Sequence, residues 1–195
     1  MRIGVLGGSF NPVHLGHLRL AEEAREMLRL DRVLFVPAGV RPHKQRRDLI
    51  DGRHRLAMVR LAIKGHPAFA ASDLELRRRG PSYTVDTLEA LHQQLGPRAR
   101  LFFLSGADTM QELKIWRALR RVLELCTFVV ATRPGYSLRS TRRGVLPLAI
   151  SRLEISASDI RRRMAAGRSI RYLVPEAVER YIVKYHLYPR RLAHV

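Results

Sequence analysis

Apolar positions along the chain fall into two alternating rhythms, short unbroken runs and stripes at helical spacing. The first run, Ile3-Gly4-Val5-Leu6, ends in Gly7-Gly8. After a polar turn, Leu15, Leu18, Ala21, Ala24 and Leu28 repeat at helical intervals. Strand, turn and helix are predicted there. A second buried strand at residues 33–37 completes a βαβ unit whose crossover should be right-handed.

The alternation continues. A loop rich in Pro, His, Lys and Arg covers residues 38–50, a helix carries Leu56, Val59 and Ile63 on one face, and a strand is expected near residues 70–76. Gly80-Pro81-Ser82 breaks the chain before a helix striped by Val85, Leu88, Leu91 and Leu95. Strands are expected at residues 101–104 and 127–131, an irregular stretch at 133–143, a last strand at 153–155, and helices at 158–166 and 175–186. Pro175 would take an early helical position, where its missing N–H costs nothing. Such alternation predicts an open, doubly wound, mainly parallel α/β sheet flanked by helices. No internal repeat or linker divides residues 1–195, so one domain is expected, with a helical part from about residue 156.

Composition narrows the class. With 195 residues, 46% of them hydrophobic, the chain can fill a core, which excludes disorder throughout. The longest apolar runs, 33–37 and 127–131, fall far short of the roughly 20 residues of a membrane helix. The basic start leads straight into a strand, so neither a span nor a signal peptide is expected. A single cysteine, Cys126, can form neither an internal disulfide nor a paired-thiolate metal site, and the cytoplasm is the expected compartment.

Charge opens a question without answering it. Lys and Arg total 36 against 17 Asp and Glu, a net charge of +19, and apart from Lys44, Lys64, Lys114 and Lys184 the basic residues are arginines. The short basic runs, such as Arg77-Arg78-Arg79 and Arg161-Arg162-Arg163, are not the sustained block of a basic arm. The surface attracts polyanions, and both RNA and nucleoside triphosphates qualify.

Candidate chemistry concentrates in Gly7-Gly8-Ser9-Phe10-Asn11-Pro12-Val13-His14-Leu15-Gly16-His17, where the first strand hands over to the first helix. In open α/β sheets ligands bind at the carboxyl ends of strands, beside helix amino termini whose N–H groups attract anions. Gly7 and Gly8 let backbone approach a phosphate, Pro12 stiffens the turn, and Gly16 keeps the first helical turn bare. His14 and His17 can project from one side toward that anion. Neither a Walker A loop nor a GxGxxG fingerprint is present. Two histidines at this spacing are also a common surface or capping pattern, and a zinc site would lack its third ligand.

A second helix start lies far along the chain. Ser156-Ala157-Ser158 offers two hydroxyls and helix N–H groups, with Arg161 one turn later able to fork onto phosphate oxygens. An ordinary N-capped helix with an exposed arginine would look the same. His43 and Lys44 lie in the basic loop after the second strand, able to close over a triphosphate, and an ordinary solvated loop would read the same.

The string from Gly7 to His17 closely resembles the signature of the nucleotidyltransferase superfamily with the H-x-G-H motif. Pro42-His43-Lys44, Gly80-Pro81-Ser82-Tyr83-Thr84-Val85-Asp86-Thr87-Leu88, Gly106-Ala107-Asp108, Trp116-Arg117, Arg133-Pro134-Gly135 and Ile155-Ser156-Ala157-Ser158-Asp159-Ile160-Arg161 follow in order. Over nearly the full chain the series resembles that of bacterial nicotinate-nucleotide adenylyltransferases. Gly80 to Thr84 with the downstream Trp116 discriminates, since phosphopantetheine adenylyltransferases are shorter and lack that pair. The family usually has Thr where this chain has Ser158, and the hydroxyl is kept.

The resemblance implies a Rossmann-like nucleotidyltransferase fold and transfer of AMP from ATP to nicotinate mononucleotide (NaMN), giving nicotinate adenine dinucleotide and pyrophosphate, with Mg2+ bridging the ATP phosphates. It implies ATP contacts at Gly8, Ser9, Phe10, His14, His17, Lys44, Asp108, Arg133, Ser156, Ser158 and Arg161, with His14, His17, Lys44 and Arg161 catalytic. For the nicotinate nucleotide it implies His43, Thr84, Val85, Asp108, Trp116 and Arg117. Trp116 would stack on the pyridine ring, while Thr84 and the N–H groups of Val85 and Arg117 would hold the carboxylate or its surroundings. No nucleic-acid or membrane partner is implied. Two expectations compete: an enzyme preferring nicotinamide mononucleotide (NMN), and a non-catalytic RNA-binding protein, which would lack an RNP-type aromatic motif or a KH GXXG loop.

Overall fold

The first apolar run forms β1 (Arg2–Gly8), the first stripe forms α1 (Leu15–Met27), and β2 (Arg32–Pro37) returns parallel to β1. The computed structural model describes residues 1–40, 49–106, 113, 116–132, 144–151 and 153–189. Beyond the first unit come α2 (Gly52–Ala62), β3 (Phe69–Ala71), α3 (Leu74–Arg77), α4 (Thr84–Leu95), β4 (Arg100–Gly106), α5 (Leu119–Leu125), β5 (Cys126–Thr132), β6 (Val145–Ala149), α6 (Ala157–Ala165) and α7 (Glu176–Lys184). The strands form one sheet in the order β3-β2-β1-β4-β5-β6, and every pairing is parallel.

Successive side chains on a strand point to opposite faces, so each strand feeds two cores. Leu6, Phe35, Leu104 and Val129 pack with Ala21 and Ala24 of α1, Met58 and Val59 of α2, Ile160 of α6, and Val178 and Ile182 of α7. Their neighbours Val5, Val36, Phe103 and Val130 pack with Val85, Leu88 and Leu91 of α4 and Val122 of α5. A sheet buried on both faces needs apolar residues at every position, which is why the strands read as unbroken runs. The chain winds outward from β1 to β3, then crosses to β4 and winds the other way. β1 and β4 therefore flank the point where the connections part, and a crevice opens there at the carboxyl ends of the strands.

Three local expectations need correction. Residues 74–77 are helical, not strand, because Ser72 and Asp73 start a turn: Ser72 Oγ accepts the Leu74 N–H at 3.3 Å. The alternation Leu74-Glu75-Leu76 imitated a strand. The last strand is β6, not residues 153–155, where the Ile155 N–H bonds the Leu153 carbonyl at 2.8 Å in a tight turn. Pro147 hid β6, since proline lacks a ladder donor, but β6 lies at the sheet edge and pairs with β5 alone. Pro175 takes the N-cap of α7, just outside the helix proper. The short α5 was not anticipated from the sequence.

Candidate active site

The turn between β1 and α1 is held by two guanidinium groups. Phe10 adopts a left-handed conformation (φ +44°) with its ring buried, and Asn11 is wholly enclosed. Arg55 of α2, itself 3% exposed, donates from Nη1 to the Ser9 carbonyl at 2.9 Å and from Nε to the Ile50 carbonyl at 3.1 Å. Arg161 of α6 donates from Nη1 to the Asn11 carbonyl at 2.8 Å and from Nη2 to Ser158 Oγ at 3.4 Å. With the Ser9 carbonyl drawn toward Arg55, a trans peptide aims the Phe10 N–H the opposite way.

Two helix amino termini meet beside this turn. The ideal Cβ of Gly16 would stand 3.1 Å from His14 Nδ1 and 3.7 Å from the Ile155 carbonyl, so the start of α1 lies against the segment that leads into α6. A side chain at residue 16 would press the His14 ring, which would have to give by a few tenths of an ångström, while its contact with the Ile155 carbonyl would be an ordinary one. The Leu15 N–H donates to the Leu173 carbonyl at 3.0 Å, fixing α1 from the other side. At α6, Ser156 is the N-cap and its Oγ accepts the Asp159 N–H at 3.1 Å.

His14 caps α1 in extended backbone geometry, and its ring lies against that of His17, with centroids 3.7 Å apart. His17 Nδ1 accepts the His14 backbone N–H at 3.2 Å, so a neutral His17 carries its proton on Nε2 and presents it as a donor. Phe10 packs edge-on to His17 at 5.0 Å. His14 is buried, and its Nδ1 has no hydrogen-bond partner among the described residues. Burial lowers the His14 pKa to about 4; burial and the neighbouring His14 push His17 well below the usual 6.5. Both rings are neutral at pH 7.

That depression makes folding pH-sensitive. Between pH 6.5 and about 4 the unfolded chain binds a proton at residue 14 that the folded chain refuses, so His14's contribution is complete above pH 6.5 and is lost as the solution is acidified. Going from pH 7.5 to 5, His14 alone should cost about 2 kcal/mol. His17 acts in the same direction. Urea midpoints at the two pH values should separate clearly for the wild type and less for His14→Gln; equal separations would refute this assignment.

The opposite face of the sheet carries a second group. Thr84 and Val85 open α4, with Val85 buried and Thr84 partly exposed. Arg117 lays its guanidinium over the Tyr83 ring at 4.6 Å. Trp116, half-buried, meets Phe103 and Phe128 edge-on, each at 5.6 Å. Phe103 also lies behind Gly7, where a Cβ would come within 3.3 Å of its ring, so the Trp116 indole and the end of β1 share one support. The chain after β2 joins the two groups. The Ala38 N–H donates to the Gly8 carbonyl at 2.8 Å, and the Ser82 N–H to the Val40 carbonyl at 2.8 Å. Glu75 fastens this crossing by accepting from the Gly39 N–H (3.2 Å) and the Thr87 hydroxyl (2.8 Å).

Of the residues singled out from sequence, Gly8, Ser9, Phe10, His14, His17, Ser156, Ser158 and Arg161 gather at the turn and the paired helix starts. Thr84, Val85, Trp116 and Arg117 gather across the sheet. His43, Lys44, Asp108 and Arg133 lie outside the described residues. Arg55, Asn11, Glu75 and Tyr188 escaped sequence reasoning as site residues. For Arg55 a signal existed, since it shares the inward face of α2 with Met58 and Val59 at helical spacing. Cys126 is no nucleophile: burial pushes its thiol up to about 12, and it donates to the Val122 carbonyl. Among the described residues no three His, Cys, Asp or Glu side chains converge to hold a metal, and no helix is long and apolar enough to cross a membrane.

Comparison with known proteins places this geometry. The cytidylyltransferase-like family model matches residues 5–163. A protein of Thermus thermophilus described as "Probable nicotinate-nucleotide adenylyltransferase" is 48% identical over 188 residues, covering 96% of this chain and all (100%) of its own. One of the same description from Thermoanaerobacter sp. is 42% identical over 201 residues, covering 97% and 95%. Among solved structures, Plasmodium falciparum nicotinic acid mononucleotide adenylyltransferase complexed with NaAD superposes with a TM-score of 0.79 at 20% identity, covering 97% of this chain and 98% of that one. The same enzyme complexed with APC gives 0.77. The chain belongs to the cytidylyltransferase-like family and, within it, groups with the bacterial nicotinate-nucleotide adenylyltransferases.

Proposed function

We propose that the protein transfers AMP from Mg-ATP to NaMN, forming nicotinate adenine dinucleotide and pyrophosphate. The observation that carries this reading is the buried His14 Nδ1, unpartnered among the described residues, on a ring tilted against that of His17 beside two adjoining helix amino termini. A buried polar atom left unpaired costs about 1–3 kcal/mol, a cost that a bound anion or its water shell would offset. Neutral imidazoles can donate to phosphate oxygens, and helix starts add further N–H groups.

The chemistry asks for little else. The NaMN phosphate is already anionic near neutral pH, so no base must remove a proton and no covalent intermediate is needed. Its oxygen attacks the α-phosphorus as the bond to pyrophosphate breaks in line. The protein must align two anions that repel each other and compensate charge on the α-phosphate and the leaving group. We assign that work to His14, His17, Arg161 and the Lys44 loop, with Gly8, Ser9, Phe10, Ser156, Ser158, Asp108 and Arg133 holding ATP. Mg2+ would come bound to the triphosphate, where it would neutralise phosphate charge.

On the opposite face, the Trp116 indole offers a flat surface for the pyridine ring. Thr84 and the N–H groups of Val85 and Arg117 would hold the nicotinate carboxylate, with His43 and Asp108 on the rest of the nucleotide. A charged acceptor gains more from such donors than a neutral carboxamide does, which favours NaMN over NMN. Pyrophosphate release from Mg-ATP, with NaMN, NMN and phosphopantetheine offered separately, tests the assignment. NaMN should give the highest kcat/KM. A clear preference for either competitor would replace the acceptor, and salt-sensitive RNA binding with no pyrophosphate from any acceptor would replace the enzyme.

A further inference from the structure

The carboxyl-terminal end of the described chain reaches back into the phosphate turn. The Tyr188 hydroxyl, carried beyond the end of α7, donates to Asn11 Oδ1 at 2.8 Å across a separation of 177 residues, and the bond is buried. Tyr188 is 9% exposed and Asn11 fully buried. The same Asn11 oxygen takes the Ile50 N–H at 3.4 Å, and the Asn11 main-chain carbonyl takes Arg161 Nη1 at 2.8 Å. One asparagine thus ties together the β1–α1 turn, the entry to α2, the Arg161 side chain and the chain end.

Two of the six described non-glycine residues with left-handed backbone lie at this bond. Phe10, adjacent to Asn11, has φ +44°, and Tyr188 has φ +59°. Bulky L-residues rarely adopt the left-handed region, and each such residue costs on the order of 1–3 kcal/mol unless its surroundings hold it there. Both rings are buried, which supplies that hold. Strain of this kind collects where a backbone must keep one conformation for a ligand.

We propose that Tyr188 is a positioning residue for ATP, acting through Asn11 to keep the Ser9–Phe10 peptide and the Arg161 guanidinium in their triphosphate-binding arrangement. This rests on the function proposed above. Tyr188 acts through Asn11 and the turn that carries it, so its influence should fall on ATP and spare the acceptor. Without its hydroxyl, Asn11 keeps a weaker partner in Ile50, and the turn samples conformations that bind triphosphate poorly.

The test is Tyr188→Phe, which removes one oxygen and keeps the packed ring. ATP affinity, measured by calorimetry with Mg-ATP and no acceptor, should weaken about three- to tenfold, the span of one net hydrogen bond. The KM for ATP should rise in parallel while that for NaMN stays within about twofold, and in an Asn11→Ala background the same substitution should have no further effect on ATP affinity. Unchanged ATP affinity in the folded variant, or equal losses for both substrates, would overturn the proposal. Because calorimetry needs no acceptor, a wild type that binds Mg-ATP but does not use NaMN would defeat the acceptor assignment and leave this inference standing.

Discussion

Replacing His17 with asparagine should lower turnover by about a hundred- to a thousandfold while the protein stays folded. The His17 ring has two separable tasks. Its Nδ1 accepts the His14 N–H and secures the first turn of α1; its Nε2, which carries the proton of the neutral ring, is the donor proposed for the triphosphate. Asparagine retains a short acceptor for the first task and offers nothing at the position of Nε2. Alanine removes both, so His17→Ala should add about 1 kcal/mol of destabilisation to the same catalytic loss. Pyrophosphate release under saturating substrates, read beside a urea melt, separates the effects. A His17→Asn enzyme with kcat within about threefold of wild type would remove His17 from the chemistry.

Arg55→Met should be the most damaging substitution outside the sequence-predicted site. Methionine fills much of the space of the buried arginine stem but leaves the Ser9 and Ile50 carbonyls without their guanidinium donors. The two carbonyls lie in a part-buried setting, where losing a donor costs on the order of 1 kcal/mol each, so the urea stability should fall by on the order of 2 kcal/mol. The Ser9–Phe10 peptide loses its anchor at the same time, and the KM for ATP should rise by about tenfold or more, with that for NaMN less affected. Arg55→Lys keeps the charge but not the fork that spans two carbonyls, so it should recover only part of either loss. A stable Arg55→Met protein with normal ATP kinetics would show that the turn holds itself.

Much of the phosphate half of the candidate site could be proposed from the chain because it rests on local chemistry. The glycines and histidines from Gly7 to His17, and Ser156 with Ser158 before an arginine one turn on, are patterns in which neighbouring residues specify a strand end or helix start. The acceptor side was legible by resemblance, as Trp116 and Thr84 carry no local signal for a flat acid. Arg55 and Tyr188 were hidden for another reason. A buried arginine differs from a surface one in its partners, and the partners of Arg55 include Ser9, 46 positions earlier. The tyrosine that bonds Asn11 sits among C-terminal residues whose pattern predicts only the end of a helix.

The sequence by itself determined most of the element types, the βαβ opening and the two helix starts, since hydrophobic period and turn chemistry act over a few residues; it misread residues 74–77 and 153–155 and missed β6 and α5. Tertiary structure alone decided the strand order, the edge placement that lets Pro147 join the sheet, and the meeting of α1 with α6, whose Arg161 reaches Asn11 across 150 positions. Contacts at that separation depend on how whole layers pack, because the free energy that selects them comes from burying both faces of the sheet at once.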